Sequence, residues 1–262
     1  MNVSRVCTWL AALWLSFSAT ERASTAEAQA HPGKIALQLA TGRVTAEVYE
    51  PAANQPKSAV VVLHGAGGTL FDGPEMRRVA RHLAAAGHAV YVLHYFDVTG
   101  SFFATDGSMQ KNFPKWLETV RASIPAIQAQ RGDRSKIGIY GYSLGGFLAL
   151  LAASDNPDVA AVVVQAGGVW NSEFQRLGKL PPVLMIHGDE DARVPFAKYA
   201  KPLIPELRAR GIRVETRFFP REGHVFSPEA RGEVRAAVAG FFERRTGQPS
   251  RGGNLKQVRS ER

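Results

Sequence analysis

The sequence holds almost no sulfur chemistry. One of its 262 residues is cysteine, Cys7, and it sits in an N-terminal stretch that reads as a removable leader. A mature chain without Cys7 has no thiol, which excludes disulfides, Cys-ligated metals and a cysteine nucleophile. Covalent catalysis would have to run through oxygen or nitrogen. No histidine joins aspartate or glutamate at metal-ligand spacing, so the sequence implies no metal and no cofactor. Long apolar runs are also missing. Downstream of the leader nothing approaches the roughly 20 residues that a membrane-spanning helix needs, and no internal repeat is present.

Acidic residues are in deficit, 23 against 32 basic ones, for a formal net charge of +9. Such a surplus can draw polyanions without specificity. No basic helix and no interleaving of basic with aromatic residues accompanies it, so it reads as a solvated surface and implies no specific nucleic-acid partner. Part of the surplus lies past Thr246, where Arg251, Lys256, Arg259 and Arg262 face only Glu261. The remaining composition, 45% hydrophobic and 21% charged, is that of a globular chain. The length suits one large α/β domain. Nothing in the sequence points to an oligomeric state.

Residues 1–30 read as a secretory signal. Arg5 gives the positive start, and Val6–Ala19 is uncharged and too short to cross a bilayer. Ala28 and Ala30 have the small-x-small spacing that signal peptidases accept, which places cleavage after Ala30. The expected mature protein is therefore exported, to a periplasm or beyond the cell. Residues 31–246 form the domain. Residues 247–262 lack apolar periodicity and are expected to be a disordered basic tail.

Inside the domain, short β-rich runs alternate with helix-length runs. Strands are expected at Ile35–Leu39, Arg43–Tyr49, Ala59–Leu63, Ala89–Leu93, Lys136–Tyr140, Val159–Gln165, Val183–His187 and Arg213–Phe219. Helices are expected at Pro74–Ala86, Lys111–Gln130 with a kink or break at Pro125, Ser143–Ala153, Pro195–Arg210 and Pro228–Arg245. Strands such as AVVVL at 59–63 are apolar at every position, as in a strand buried on both faces. Alternating strands and helices imply parallel crossovers and a mostly parallel sheet covered on both faces.

The chemistry concentrates at four places. Gly141-Tyr142-Ser143-Leu144-Gly145 is G-x-S-x-G between an apolar strand and an Ala/Leu-rich helix. A hydroxyl nucleophile exposed at a strand end needs a tight turn, with no room for Cβ atoms two residues before and after the serine. The following helix start offers backbone N–H groups to a negative oxygen. A serine also needs a base, and the base needs an orienting acid. Downstream of Ser143 there are two histidines, His187 at a strand end and His224 in a loop between the last strand and the last helix. Only the loop can reach over the sheet edge, which makes His224 the base. The segment His187–Pro195 carries three carboxylates, Asp189, Glu190 and Asp191. Asp191 is favoured because the third position past Gly188 turns back toward the histidine, with Asp189 the alternative. The loop His64–Thr69 leaves the first central strand. There Ala66 N–H, with Leu144 N–H, is the expected oxyanion hole, and His64 is expected to hydrogen-bond structurally.

These pieces resemble the dienelactone hydrolase family of the α/β-hydrolase superfamily over roughly Ala59 to Arg245. The resemblance rests on HGAGG at 64–68, GYSLGG at 141–146, HGDEDARVP at 187–195 and the Gly223-His224 pair. It implies the α/β-hydrolase fold, a Ser143–Asp191–His224 triad and hydrolysis of a small-molecule ester. It also supports Asp191 as the acid. The family's founding enzymes use a cysteine nucleophile and carry a glutamate in the oxyanion loop. Here the nucleophile is Ser143 and the HGAGG loop has no acid, so the chain is more similar to the serine, carboxylesterase-type relatives.

Between Ala166 and Leu180 there is no room for a helical lid, so an open site is expected, suited to small or exposed esters. Phe96, Phe102, Phe103, Trp170 and Phe226 are the candidate aromatics for its pocket, the first three in the long loop Tyr95–Asn112. Two other readings compete with the esterase. One is a peptidase like the prolyl oligopeptidases, which carry a large gating domain upstream of the catalytic one. The other is an inactive hydrolase fold that binds a partner, for which a broken triad or a blocked turn would be the sign.

Overall fold

The computed structural model describes residues 32–52 and 56–246. The expected leader over 1–30 and tail over 247–262 lie outside the described residues. Eight strands form one sheet: β1 (Gly33–Leu39), β2 (Gly42–Tyr49), β3 (Ala59–Leu63), β4 (Ala89–Leu93), β5 (Ile137–Tyr142), β6 (Val159–Gln165), β7 (Val183–Gly188) and β8 (Val214–Phe219). Their spatial order is β1-β2-β4-β3-β5-β6-β7-β8. β1 pairs antiparallel with β2, and β2 antiparallel with β4. From β4 to β8 every pairing is parallel.

The two faces of the sheet explain the all-apolar strands. In β3, Ala59, Val61 and Leu63 enter one core, while Val60 and Val62 enter the other. Each fully buried Val or Leu side chain contributes on the order of 1.5–3 kcal/mol, so a two-sided strand has no position free for a polar residue. Helices α2 (Gly73–Ala85) and α8 (Pro228–Thr246) cover one face, with Met76, Val79, Leu83, Val234, Val238 and Phe242 facing in. Helices α3 (Asp106–Arg131) and α4 (Leu144–Ala153) cover the other. A single turn of helix, α1 (Gly68–Phe71), precedes α2, and three short helices follow β6 and β7: α5 (Asn171–Phe174), α6 (Phe196–Tyr199) and α7 (Leu203–Ala209). Among the described residues no helix is long and apolar enough to cross a membrane.

Two expected helices come out differently. Helix α3 starts at Asp106 rather than Lys111, because Thr105 caps it. The Thr105 side chain accepts from Ser108 N–H, and Ser108 Oγ accepts from Thr105 N–H. The first turn faces solvent and so shows no apolar period. Of the kink or break expected at Pro125, the break does not occur; α3 runs through both Pro114 and Pro125. Ile124 and Ile127 beside the second proline are fully buried, and that packing outweighs the one backbone hydrogen bond lost. The helix expected over 195–210 is two, α6 and α7, separated where Pro202 removes a donor.

Candidate active site

All the residues singled out for chemistry arrive at the C-terminal ends of the parallel strands. Ser143 sits between β5 and α4 with φ 53° and ψ −120°, a left-handed conformation that costs a non-glycine residue on the order of 1–3 kcal/mol. Its N–H donates to Gln165 O at 2.9 Å and its carbonyl accepts from Gly146 N–H at 2.8 Å, which holds the turn. The flanking glycines are steric requirements. A Cβ at Gly141 would lie 2.1 Å from Gly145 O, and one at Gly145 would lie 2.5 Å from Leu63 O.

His224 comes from the loop between β8 and α8. Its Nε2 is 2.9 Å from Ser143 Oγ, and its Nδ1 is 2.8 Å from Asp191 Oδ2. The carboxylate can only accept, so the ring proton lies on Nδ1 and Nε2 is left with a lone pair toward the hydroxyl. Tyr142 fixes the loop by donating its hydroxyl to His224 O at 3.2 Å. Asp191 is buried. Its Oδ1 accepts the N–H groups of Arg193 at 2.9 Å and Val194 at 2.7 Å. His187 Nε2 donates to Val194 O at 2.8 Å and also lies 3.3 Å from Asp191 Oδ2. Burial alone would push the Asp191 carboxyl up. The hydrogen bonds from His187, His224 and Val194 outweigh it and hold the group well below the usual carboxylate range.

The neighbouring carboxylates do other work. Asp189 accepts Arg221 N–H at 2.7 Å and ties the acid loop to the histidine loop. Glu190 is exposed. His64 is fully buried, its Nδ1 2.8 Å from Gly65 O and its ring stacked on Tyr95 at 4.2 Å. Burial pushes its imidazole down to about 3, so it is a neutral structural group.

Ala66 and Leu144 both line the cleft that opens at Ser143. Among the described residues neither N–H has an acceptor in the protein. The loop bearing Ala66 is held by a residue the sequence did not single out. Asp72, at the junction of α1 and α2, accepts Gly67 N–H on Oδ2 at 3.0 Å. A Cβ at Gly65 would meet that oxygen at 2.7 Å and Ser143 Cβ at 2.9 Å, so the carboxyl occupies the crook of the loop beside Ser143. Burial pushes the Asp72 carboxyl up, against the pull of the Gly67 N–H. The loop motif itself contains no acid, and nothing in local spacing marks an aspartate five residues past Gly67 as reaching back.

The cleft measures about 610 Å³. Of the five aromatics expected there, Trp170 lines it. Phe96 is buried beneath the loop, against His64, Tyr95 and Trp116. Phe102 and Phe103 point to solvent, 78% and 55% exposed. Phe226 packs on Phe219 in the core under α2 and α8, on the other face of the sheet. The cleft is walled instead by Phe113, Phe147, Tyr199, Met109 and Val194, with Asp106 and Arg193 paired at 2.6 Å on its lip.

The sequence profile of the dienelactone hydrolase family matches residues 44–246. A Yersinia pestis protein provisionally named carboxymethylenebutenolidase is 31% identical over 117 residues, 41% of this chain and 43% of that one. The chain thus spans less than half the length of that relative. A Klebsiella pneumoniae structure provisionally assigned as a dienelactone hydrolase superposes with TM-score 0.68 at 19% identity, over 81% of this chain and 98% of that one. Pyrococcus horikoshii acylaminoacyl peptidase superposes with TM-score 0.68 at 17% identity, over 86% of this chain but 43% of its own. At these identities the two structures show a shared fold, the α/β-hydrolase fold.

Proposed function

The chain belongs to the dienelactone hydrolase family, and on that premise we propose that it hydrolyses carboxylic esters, lactones included, through an acyl-Ser143 intermediate. One observation carries the reading: the unbroken hydrogen-bond chain from Ser143 Oγ through His224 to Asp191, at 2.9 and 2.8 Å. His224 Nε2 takes the hydroxyl proton as Ser143 Oγ attacks the ester carbonyl. Asp191 stabilises the imidazolium that forms and keeps it oriented. The carbonyl oxygen becomes negative and is stabilised by the N–H groups of Ala66 and Leu144, neither of which has an acceptor in the protein among the described residues. His224 then protonates the departing alkoxide. Water, deprotonated by the same nitrogen, releases the acid and restores Ser143.

The test is a pre-steady-state assay of residues 31–262 with p-nitrophenyl acetate and butyrate, beside Ser143→Ala. The expected result is a burst near one equivalent of nitrophenol followed by turnover, with neither from the folded mutant. A fluorophosphonate should add to Ser143 and to no other residue. Turnover by Ser143→Ala at the wild-type rate would remove the proposal. Amide turnover in the same assay, on an acylated peptide anilide, would favour the peptidase reading that the acylaminoacyl peptidase likeness raises.

Asp72 gives a separate expectation. Its carboxylate keeps the Gly67 N–H engaged, and on the esterase reading this bracing holds the neighbouring Ala66 N–H for the carbonyl oxygen. Asp72→Ala is expected to lower kcat about 10- to 100-fold, somewhat less than outright loss of an oxyanion donor, with KM within about threefold. Asp72→Asn retains an acceptor oxygen and should recover most of kcat. Steady-state kinetics of both variants, with melting curves, decide it. An unchanged kcat in Asp72→Ala would show that the loop holds itself.

A further inference from the structure

Four aromatic side chains in the cleft form one continuous panel. Trp170 stacks on Phe147 at 4.5 Å and 28°, and takes the edge of Phe113 at 4.6 Å and 79°. Tyr199 meets Phe147 edge-on at 5.6 Å. All four line the cleft that holds Ser143, Ala66 and Leu144. Phe113 and Phe147 are nearly buried, while Trp170 and Tyr199 keep part of their surface open. The rings come from α3, α4, α6 and the segment before α5, so they hold one another in place and present a rigid surface beside the nucleophile.

From this panel we infer that the cleft selects esters whose acyl group carries an aromatic ring, with Trp170 as the specificity-determining residue. The inference rests on the esterase reading above. Two features assign the cleft to the acyl side. His224 must protonate the departing oxygen, so the alcohol leaves on the His224 side, and His224 is not among the residues lining the cleft. Ala66 and Leu144, whose N–H groups the esterase reading sets against the carbonyl oxygen, do line it. A ring bound there lies against a π-surface, in the offset or edge-on contacts that aromatic pairs favour over contacts with a saturated ring of equal size. The lip limits the alternative. Asp106, Arg193, Gln110 and Glu173 border the same cleft, so a long alkyl chain would run from the panel into polar and charged groups that it cannot pair. The chemistry is ordinary acyl transfer. The ester C–O bond breaks as the Ser143 Oγ–C bond forms, the alcohol leaves with the proton from His224, and water then yields the arylcarboxylic acid.

The experiment compares matched methyl esters by pH-stat: benzoate against cyclohexanecarboxylate, and cinnamate against 3-cyclohexylpropanoate. Each kcat/KM is divided by that ester's own hydroxide-catalysed rate, which removes intrinsic reactivity. The wild type is expected to favour the aromatic member of each pair by about tenfold, the upper end of what one aromatic contact is worth. In Trp170→Leu the ratio should fall below about threefold, and Phe113→Leu should move it the same way if Trp170→Leu does not fold. Parity in the wild type, or a preference that survives both substitutions, would overturn the inference while p-nitrophenyl acetate turnover left the esterase reading standing. No acetate turnover by a folded wild-type protein would instead remove both.

Discussion

Asp191→Asn is expected to fold and to lose about four orders of magnitude in kcat, the scale seen when a triad carboxylate becomes an amide. The surroundings of Asp191 leave the amide no good orientation. Oδ1 accepts two backbone N–H groups, from Arg193 and Val194, so the amide oxygen is retained there. The amide NH2 then faces His224 Nδ1, where Asp191 Oδ2 now lies at 2.8 Å. His224 must turn a lone pair to that NH2 and carry its proton on Nε2, which can no longer accept from Ser143. Flipping the amide would restore the tautomer but would set its NH2 against two N–H donors. Removing a buried partner in this way costs roughly 1–3 kcal/mol of stability, enough to lower the melting temperature without unfolding the chain. Ester turnover and the rate of fluorophosphonate labelling should fall together. A kcat within tenfold of wild type would mean that Asp191 does not orient the base.

The second large effect is structural. In Gly141→Ala the new methyl would sit 2.1 Å from Gly145 O and 2.4 Å from Gly145 C. Both are backbone atoms at the start of α4, and no flexible side chain can move aside. Ser143 already occupies a strained conformation at that point, so the turn has no slack with which to absorb the displacement. The expected destabilisation exceeds about 3 kcal/mol, the upper range for forcing extra volume into packed structure, with loss of soluble protein or of activity. Gly232→Ala is the internal contrast. That glycine is helical and exposed, with nothing within 4 Å of a Cβ, so alanine there should be neutral or stabilising by up to about 1 kcal/mol. Melting curves of the two variants side by side test the steric account. A Gly141→Ala protein as stable as the wild type would contradict it.

Asp191 and Gly141 are both legible in the amino-acid sequence, and the wall of the cleft, Trp170 aside, is not. The turn at Ser143 is local: its glycines stand within two residues of the serine, and the clash they avoid is between atoms close in sequence. Chain order leaves His187 and His224, and the reach of the loop after β8 selects His224, because His187 is held at the end of β7. The two-faced burial of β3, β4 and β7 is legible for a similar reason, since unbroken apolar runs have few other uses.

Phe96, Phe102, Phe103 and Phe226 show where such reading stops. Phe226 is two residues from His224 and the other three lie in the long loop after β4, yet packing turns Phe96 under the loop of Ala66, leaves Phe102 and Phe103 in solvent and sends Phe226 to the opposite face. Phe113, Phe147 and Tyr199 are far apart in the chain and meet only because α3 and α4 cover the same face of the sheet and α6 comes up beside them. The early start of α3, set by Thr105 and Ser108, also brings Asp106 to the lip opposite Arg193. Asp72 is likewise a matter of approach, a side chain folded back into a loop by the turn of α1. By itself the sequence determined the sheet, the tight turn at Ser143 and the chain order of the candidate acid and base, because these follow from unbroken apolar runs, local sterics and chain direction. The shape of the cleft and the bracing of its loop were decided by tertiary structure, because they depend on which faces of distant elements come into contact.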